Sequence, residues 1–196
     1  MIYFTSDPHY WHQNVIKYCS RPFKDVEEMN EMLVKNWNDI VKPEDTVYCL
    51  GDFSLAWRPV ELYSARLMGQ KLLVPGNHDF CHSYHKKSRN EKQRAEWKAK
   101  YEQHGWLVLP EQTTLDIPGC AVVNLCHHPY VMEAYDDKFA KWRPKDDGRW
   151  LLNGHVHEKW KVQGRMINVG VDVWDYKPVP VTEIIKIING QNPIHR

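Results

Sequence analysis

Short apolar runs recur along the chain, each ending at a polar punctuation mark. Ile2–Thr5, Thr46–Leu50, Lys71–Val74, Ala121–Cys126 and Trp150–Leu152 have the length and β-prone composition of strands, and Met166–Val169 is a further candidate. Between the early strands the apolar period changes to three-to-four. Val26, Met29, Met32, Leu33, Trp37, Ile40 and Val41 predict an amphipathic helix that stops before Pro43. Val60–Met68 reads as a second helix starting near Pro59. Residues 86–102 form a third, highly polar helical stretch that would pack through Trp97 and Tyr101. Strands alternating with helices, then strand-rich sequence, indicate an α/β protein. With no repeat, linker or composition break, one domain spanning residues 1–196 is expected.

Composition narrows the function classes. The chain has 26 Lys and Arg against 25 Asp and Glu, a formal charge of +1. That balance excludes a generically basic nucleic-acid binder, which needs a surplus of cations. Hydrophobic content of 42% excludes an acidic disordered tail. Locally, residues 86–102 hold seven cations and three carboxylates, which reads as a solvated helix or, more sharply, as a substrate-facing basic cap. The five cysteines are odd in number and include no CxxC pair, so reduced thiols and a cytoplasmic location are expected. The N-terminus lacks a basic region before its short apolar stretch, so no signal peptide is expected. No run approaches the roughly 20 apolar residues that span a bilayer, so no membrane partner is expected.

Candidate chemistry follows the strands. Asp7-Pro8-His9, Gly51-Asp52, Gly76-Asn77-His78-Asp79, His127-His128 and Gly154-His155-Val156-His157 each stand at the end of an apolar run. Taken singly, an aspartate there is a turn or helix cap and an HxH is a surface accident. Five such pieces at strand ends, where the loops of open α/β sheets converge on one crevice, form a constellation. Glycine before three of them lets the chain turn sharply. In Asp7-x-His9 and His155-x-His157, alternate spacing puts both side chains on one side if the backbone stays extended. The donors are nitrogen and oxygen without thiolate, which suits Mn, Fe, Zn, Co or Ni. Seven groups (Asp7, His9, Asp52, Asn77, His127, His155 and His157) are enough for two divalent ions sharing a carboxylate, and such pairs act on phosphoryl oxygens.

In order and kind, these pieces resemble the calcineurin-like metallophosphoesterase superfamily, whose hallmarks are DxH, GD, GNH(D/E), an isolated His and GHxH. The stretches His12–Asn14, Tyr18–Phe23, Asn36–Asn38, Leu50–Phe53 and Asn168–Pro178 are similar to a subgroup of small bacterial and phage members. The resemblance implies a four-layer α/β/β/α sandwich of two mixed β-sheets flanked by helices. It implies that Asp7, His9 and His157 hold one ion, that Asn77, His127 and His155 hold the other, and that Asp52 bridges them. Manganese is the metal expected to support activity. A hydroxide bridging the ions would attack phosphorus in line, and His78 would assist the leaving group. Two dications, two aspartates and a hydroxide leave a net positive centre suited to an anionic substrate.

One departure from the superfamily bears on specificity. Phosphoprotein phosphatases carry a second Asp three residues after the bridging one, followed by Arg, and here Leu55 and Ala56 stand there. Orientation of His78 then falls to Asp79, to another group or to nothing, and phosphodiesters or small phosphomonoesters, nucleotides among them, are favoured over phosphoproteins. Specificity is expected in His12–Phe23, Phe80–Gln103 and Tyr135–Arg149. Arg21, His12 and His128 are candidate substrate contacts. The alternatives are a salt bridge from Arg21 to the helix beginning near Asp25 and packing of His128 behind the ligands or on Pro129. His82 and His85 read as ordinary surface histidines, and Trp142 as a base-stacking or a packing residue. A nuclease acting on DNA or RNA ends stands second, disfavoured by the +1 charge. A catalytically silent scaffold stands third, because the ligands and His78 are all retained.

Overall fold

A computed structural model describes residues 1–131 and 137–191. In chain order the elements are β1 (Ile2–Thr5), α1 (Gln13–Tyr18), α2 (Val26–Asn38), β2 (Thr46–Cys49), α3 (Trp57–Ser64), β3 (Gln70–Leu73), α4 (Glu91–Gln103), β4 (Trp106–Val108), β5 (Gln112–Ile117), β6 (Ala121–Cys126), β7 (Leu151–Asn153), β8 (Val162–Gln163), β9 (Met166–Asn168), β10 (Val179–Pro180) and α5 (Val181–Gln191). Short 3-10 turns lie at Asp137–Trp142 and Val171–Val173.

The strands form two mixed five-stranded sheets, ordered β10-β1-β2-β3-β4 and β5-β6-β7-β9-β8. β1 to β4 run parallel, with Tyr3 opposite Val47 and Val47 opposite Lys71, while β10 closes the edge antiparallel to β1. In the second sheet β6, β7 and β9 are parallel, flanked by antiparallel β5 and β8. The period-two alternation of side chains decides which layer each residue joins. Phe4, Leu50 and Val74 meet Val123, Leu125, Leu152 and Ile167 between the sheets, where α5 adds Ile184 and Ile188. Val47, Cys49 and Leu73 face the other way, onto Met29, Leu33 and Trp37 of α2, Val60 and Tyr63 of α3 and Tyr101 of α4. Cys126, Leu151 and Met166 line the outer face of the second sheet beneath Tyr130 and Trp160. The architecture is thus α/β, two mixed sheets with flanking helices, as the sequence led us to expect.

Boundaries follow local chemistry. The Asp25 carboxylate caps α2 on the Glu28 N–H at 2.8 Å, and Asn90 caps α4 on the Gln93 N–H at 2.9 Å. α4 therefore begins five residues later than the polar stretch suggested, and a series of turns precedes it. α3 starts at Trp57 because Pro59 falls in the first turn, where a missing N–H costs nothing. Among the described residues no helix is long and apolar enough to cross a membrane.

Candidate functional site

Parallel strands deliver their C-terminal loops to one place. The loops are stitched by Asp7 N–H to Gly51 O (3.0 Å), His9 N–H to Asp52 O (3.3 Å), Gly154 N–H to His127 O (3.0 Å) and Val171 N–H to Ser6 O (3.0 Å). The backbone at the paired motifs is not extended. Asp7, His9, Asp52, His155 and His157 all have positive φ, from 49° to 71°. Left-handed non-glycine residues cost about 1–3 kcal/mol each and persist only where the surroundings fix them. Side-chain convergence in both x-separated pairs is therefore imposed by a strained turn and not by strand alternation.

The glycines serve closeness more than turning. Gly51 has φ +92°, but Gly76 and Gly154 do not have positive φ. A β-carbon on Gly76 would sit 2.3 Å from Asp52 Oδ1, and one on Gly154 would sit 2.4 Å from Asp7 Oδ2 and 2.0 Å from Ser6 Oγ. Only a residue without a side chain lets these loops pass so near the two carboxylates.

Four overlapping groups of donors converge, one of which joins Cys19, His157 and Asp172. The ligand atoms of Asp7, His9 and His157 lie within 4.8 Å of one another, as do those of Asp7, Asp52 and His127, and those of His127, His128 and His155. Asp52 Oδ2 is central, 3.8 Å from His9 Nε2, 3.4 Å from His127 Nε2 and 3.8 Å from His78 Nε2. Its other oxygen accepts the His78 backbone N–H at 2.8 Å. Asp7 Oδ2 accepts the His155 N–H at 2.9 Å, whereas Asp7 Oδ1 is buried and lacks a hydrogen-bond partner. His9 Nε2 and Asn77 Oδ1 are buried and unpartnered in the same way. Buried polar atoms are normally satisfied. Orphaned atoms in a nitrogen–oxygen donor set fit divalent cations as their missing partners.

The electrostatics match. Burial opposes ionisation of Asp52, yet His127, His78 and His9 outweigh it and hold the carboxyl well below its usual range. Burial also opposes a charge on His127, but the Asp52 and Asp7 carboxylates and the Leu50 carbonyl, 2.7 Å from Nδ1, raise its imidazole to about 9. Burial keeps His9 well below its ordinary value and lowers His155 to about 3, so both rings are neutral and ready to ligate.

Several expected roles differ in the structure. Asp79 does not touch the His78 ring. Its carboxylate accepts the Asp52 and Gly76 N–H groups at 2.8 Å each, the Phe53 N–H at 3.1 Å and the Tyr101 hydroxyl at 3.4 Å. It positions the Asp52 loop, and burial together with Asp52 raises it to about 7. Arg21 faces inward, away from any substrate. Its guanidinium makes a bidentate pair with Asp172 (2.7 and 2.9 Å), not with Asp25, and donates to the carbonyls of Asp7 (2.8 Å) and Pro8 (2.9 Å). His128 is fully buried, packed between Phe139 and His155, and so presents no edge to a substrate. His12 is half-buried beside His9, with ring centroids 5.3 Å apart. His82 is no surface residue; it is buried, with Nε2 3.5 Å from Glu111. Trp142 packs on Tyr84 and donates to Ser83 Oγ at 2.8 Å. Residues 135 and 136 of the third specificity stretch lie outside the described residues.

Two supports escaped the sequence reading. Asp172 Oδ2 lies 3.0 Å from His157 Nδ1, which aims Nε2 at the cluster and supports the imidazolium against burial, raising it to about 11. Asn168 donates to the His157 and Trp160 carbonyls at 2.7 and 2.9 Å, fixing the loop that carries His155 and His157. Asn168 ends β9 and Asp172 follows it, in a segment that resembles the subgroup only as similar sequence; an Asn and an Asp flanking Gly170 were the available signal.

Comparison with known proteins agrees with this geometry. An uncharacterized protein of Methanocaldococcus jannaschii is 35% identical across 95% of this chain and 90% of its own length. The gene 66 protein of Mycobacterium phage L5 is 30% identical across 95% of this chain and 93% of its own. A crystal structure of a protein of unknown function from Aquifex aeolicus superimposes with a TM-score of 0.69 and 29% identity, covering 96% of this chain and 99% of that one. Residues 1–159, which include every proposed ligand, match the sequence model of the calcineurin-like phosphoesterases. The chain belongs to the calcineurin-like phosphoesterase family.

Proposed function

We propose that the chain is a two-metal phosphoesterase that hydrolyses phosphodiesters or small phosphomonoesters, nucleotides among them. The observation that carries this reading is the set of unpartnered buried atoms, Asp7 Oδ1, His9 Nε2 and Asn77 Oδ1, around a central ionised Asp52. Asp7, His9 and His157 would hold one ion, and Asn77, His127 and His155 the other, with Asp52 between them. When bound, two divalent cations, manganese in our reading, supply Lewis acidity that acidifies water toward neutral pH and neutralises the phosphate. The protein's own groups do the remainder. His78 has its side chain 44% exposed, so its ring reaches substrate, while its backbone is tied to Asp52. As the oxygen of water, its proton given up to solvent, bonds to phosphorus, the opposite P–O bond breaks and His78 donates a proton to the departing oxygen. Asp79 and Arg21 keep the Asp52 and Asp7 turns in their left-handed conformations. The five cysteines are all free, which supports a reducing, cytoplasmic setting.

The test is turnover of bis-p-nitrophenyl phosphate and p-nitrophenyl phosphate with Mn²⁺, Fe²⁺, Zn²⁺, Co²⁺ or Ni²⁺; absence of turnover with all five contradicts the reading. For His78→Ala we expect unchanged metal loading and turnover slower by about 10²–10⁴-fold on esters with poor leaving groups. Equal slowing across good and poor leaving groups would remove His78 as the proton donor.

A further inference from the structure

A cavity of about 440 Å³ opens beside the candidate centre, lined by Asn77, His78, Tyr84, His85, Lys86 and Arg89. Its lining holds two cations, two imidazoles and no carboxylate. Lys86 and Arg89 are exposed, and among the described residues neither makes an ion pair or a hydrogen bond through its side chain. His85 is pushed down first by burial and then by the positive charges of Lys87 and Lys86.

The cavity wall is built, not draped. Ser83 donates its N–H and its hydroxyl to Glu111 (2.6 and 2.9 Å) and accepts the Trp142 Nε1–H. The Tyr84 ring packs edge-on against Phe139 and Trp142, each 5.0 Å between centroids. The buried Ser88 hydroxyl donates back to the Phe80 carbonyl, which closes the turn. Unpaired cations held in a preformed wall next to a leaving-group donor lack an anion.

We propose that this cavity receives a second phosphate carried on the leaving group, so the preferred substrate is a phosphoester with another phosphate beyond the scissile bond. The inference rests on the phosphoesterase reading above. Two sources share this chemistry, a nucleoside polyphosphate and the phosphorylated end of a short nucleic acid.

The test compares kcat/KM for thymidylyl-thymidine with and without a 5′- or 3′-terminal phosphate, and for thymidine triphosphate, in the wild type and in Lys86→Gln/Arg89→Gln. The wild type should favour at least one phosphorylated substrate over unphosphorylated dinucleotide by about tenfold or more, chiefly through KM and less so at high salt. In the double variant that ratio should fall toward one. Preference for the triphosphate alone identifies a nucleotide, and preference for a phosphorylated dinucleotide identifies a nucleic-acid end. A wild type indifferent to the second phosphate, or a variant that keeps the full preference, overturns the proposal. Turnover of bis-p-nitrophenyl phosphate separates this from failure of the parent reading, since that substrate has no second phosphate.

Discussion

Asp172 is the residue on which one half of the candidate centre turns. It takes Arg21 Nε and Nη2 and the His157 Nδ1, and Arg21 in turn grips the carbonyls of Asp7 and Pro8. One buried ion pair therefore sets the direction of His157 and the turn that carries Asp7 and His9. For Asp172→Asn we expect Mn²⁺ affinity to fall about 10–100-fold, the usual effect of removing a carboxylate behind a ligating histidine. Leaving the Arg21 charge buried without its partner should also lower unfolding stability by about 3–5 kcal/mol. Titration calorimetry and urea unfolding read the two effects; wild-type affinity would contradict the positioning role. The ligands themselves were legible because each is a polar residue immediately after an apolar run. Asp172 was not, since its partner Arg21 lies 151 positions away and a lone Asp after Gly-Val has many ordinary explanations.

At the scale of elements, parallel strands bring distant loops together. β1, β2 and β3 place Asp7, Asp52 and Asn77 side by side, and β6 and β7 bring His127 and His155 across from the second sheet. The two sheets hold their facing distance through the shared core, to which α5 contributes Ile184 and Ile188. Ile188→Ala, at a 1% exposed position, should cost about 2–5 kcal/mol by urea unfolding. A cost below about 1 kcal/mol would mean that α5 does not close this core. β1 and β6 were read from the sequence residue for residue, because continuous apolar runs marked them. β8 and β10 were not, because two residues carry no periodicity. β5 alternates Thr, Leu and Asp at a sheet edge, where the polar face goes to solvent and the apolar signal is weak.

Over the whole molecule, near-neutral charge conceals a site that accumulates protons when metal-free. With a folded value of about 9, His127 contributes stability that is complete below about pH 6.5 and lost as pH rises through 9. Asp79, raised to about 7, adds a loss between about pH 4 and 7, because the folded state must ionise it beside Asp52. Both slopes have the same sign, and the opposite contribution of the depressed His9 and His155 is complete once free histidine is neutral, so the metal-free protein should weaken as pH rises from about 7.5 to 9. Metal binding should strengthen over that interval, because cations displace the His127 proton. The most direct test is calorimetric titration of Mn²⁺ at pH 7.5 in two buffers of different ionisation enthalpy, for the wild type and Asp52→Asn. We expect two ions per wild-type chain with net proton release, and loss of tight binding in the variant. One ion or none in the wild type, or an unchanged variant, would contradict a two-ion centre built on Asp52.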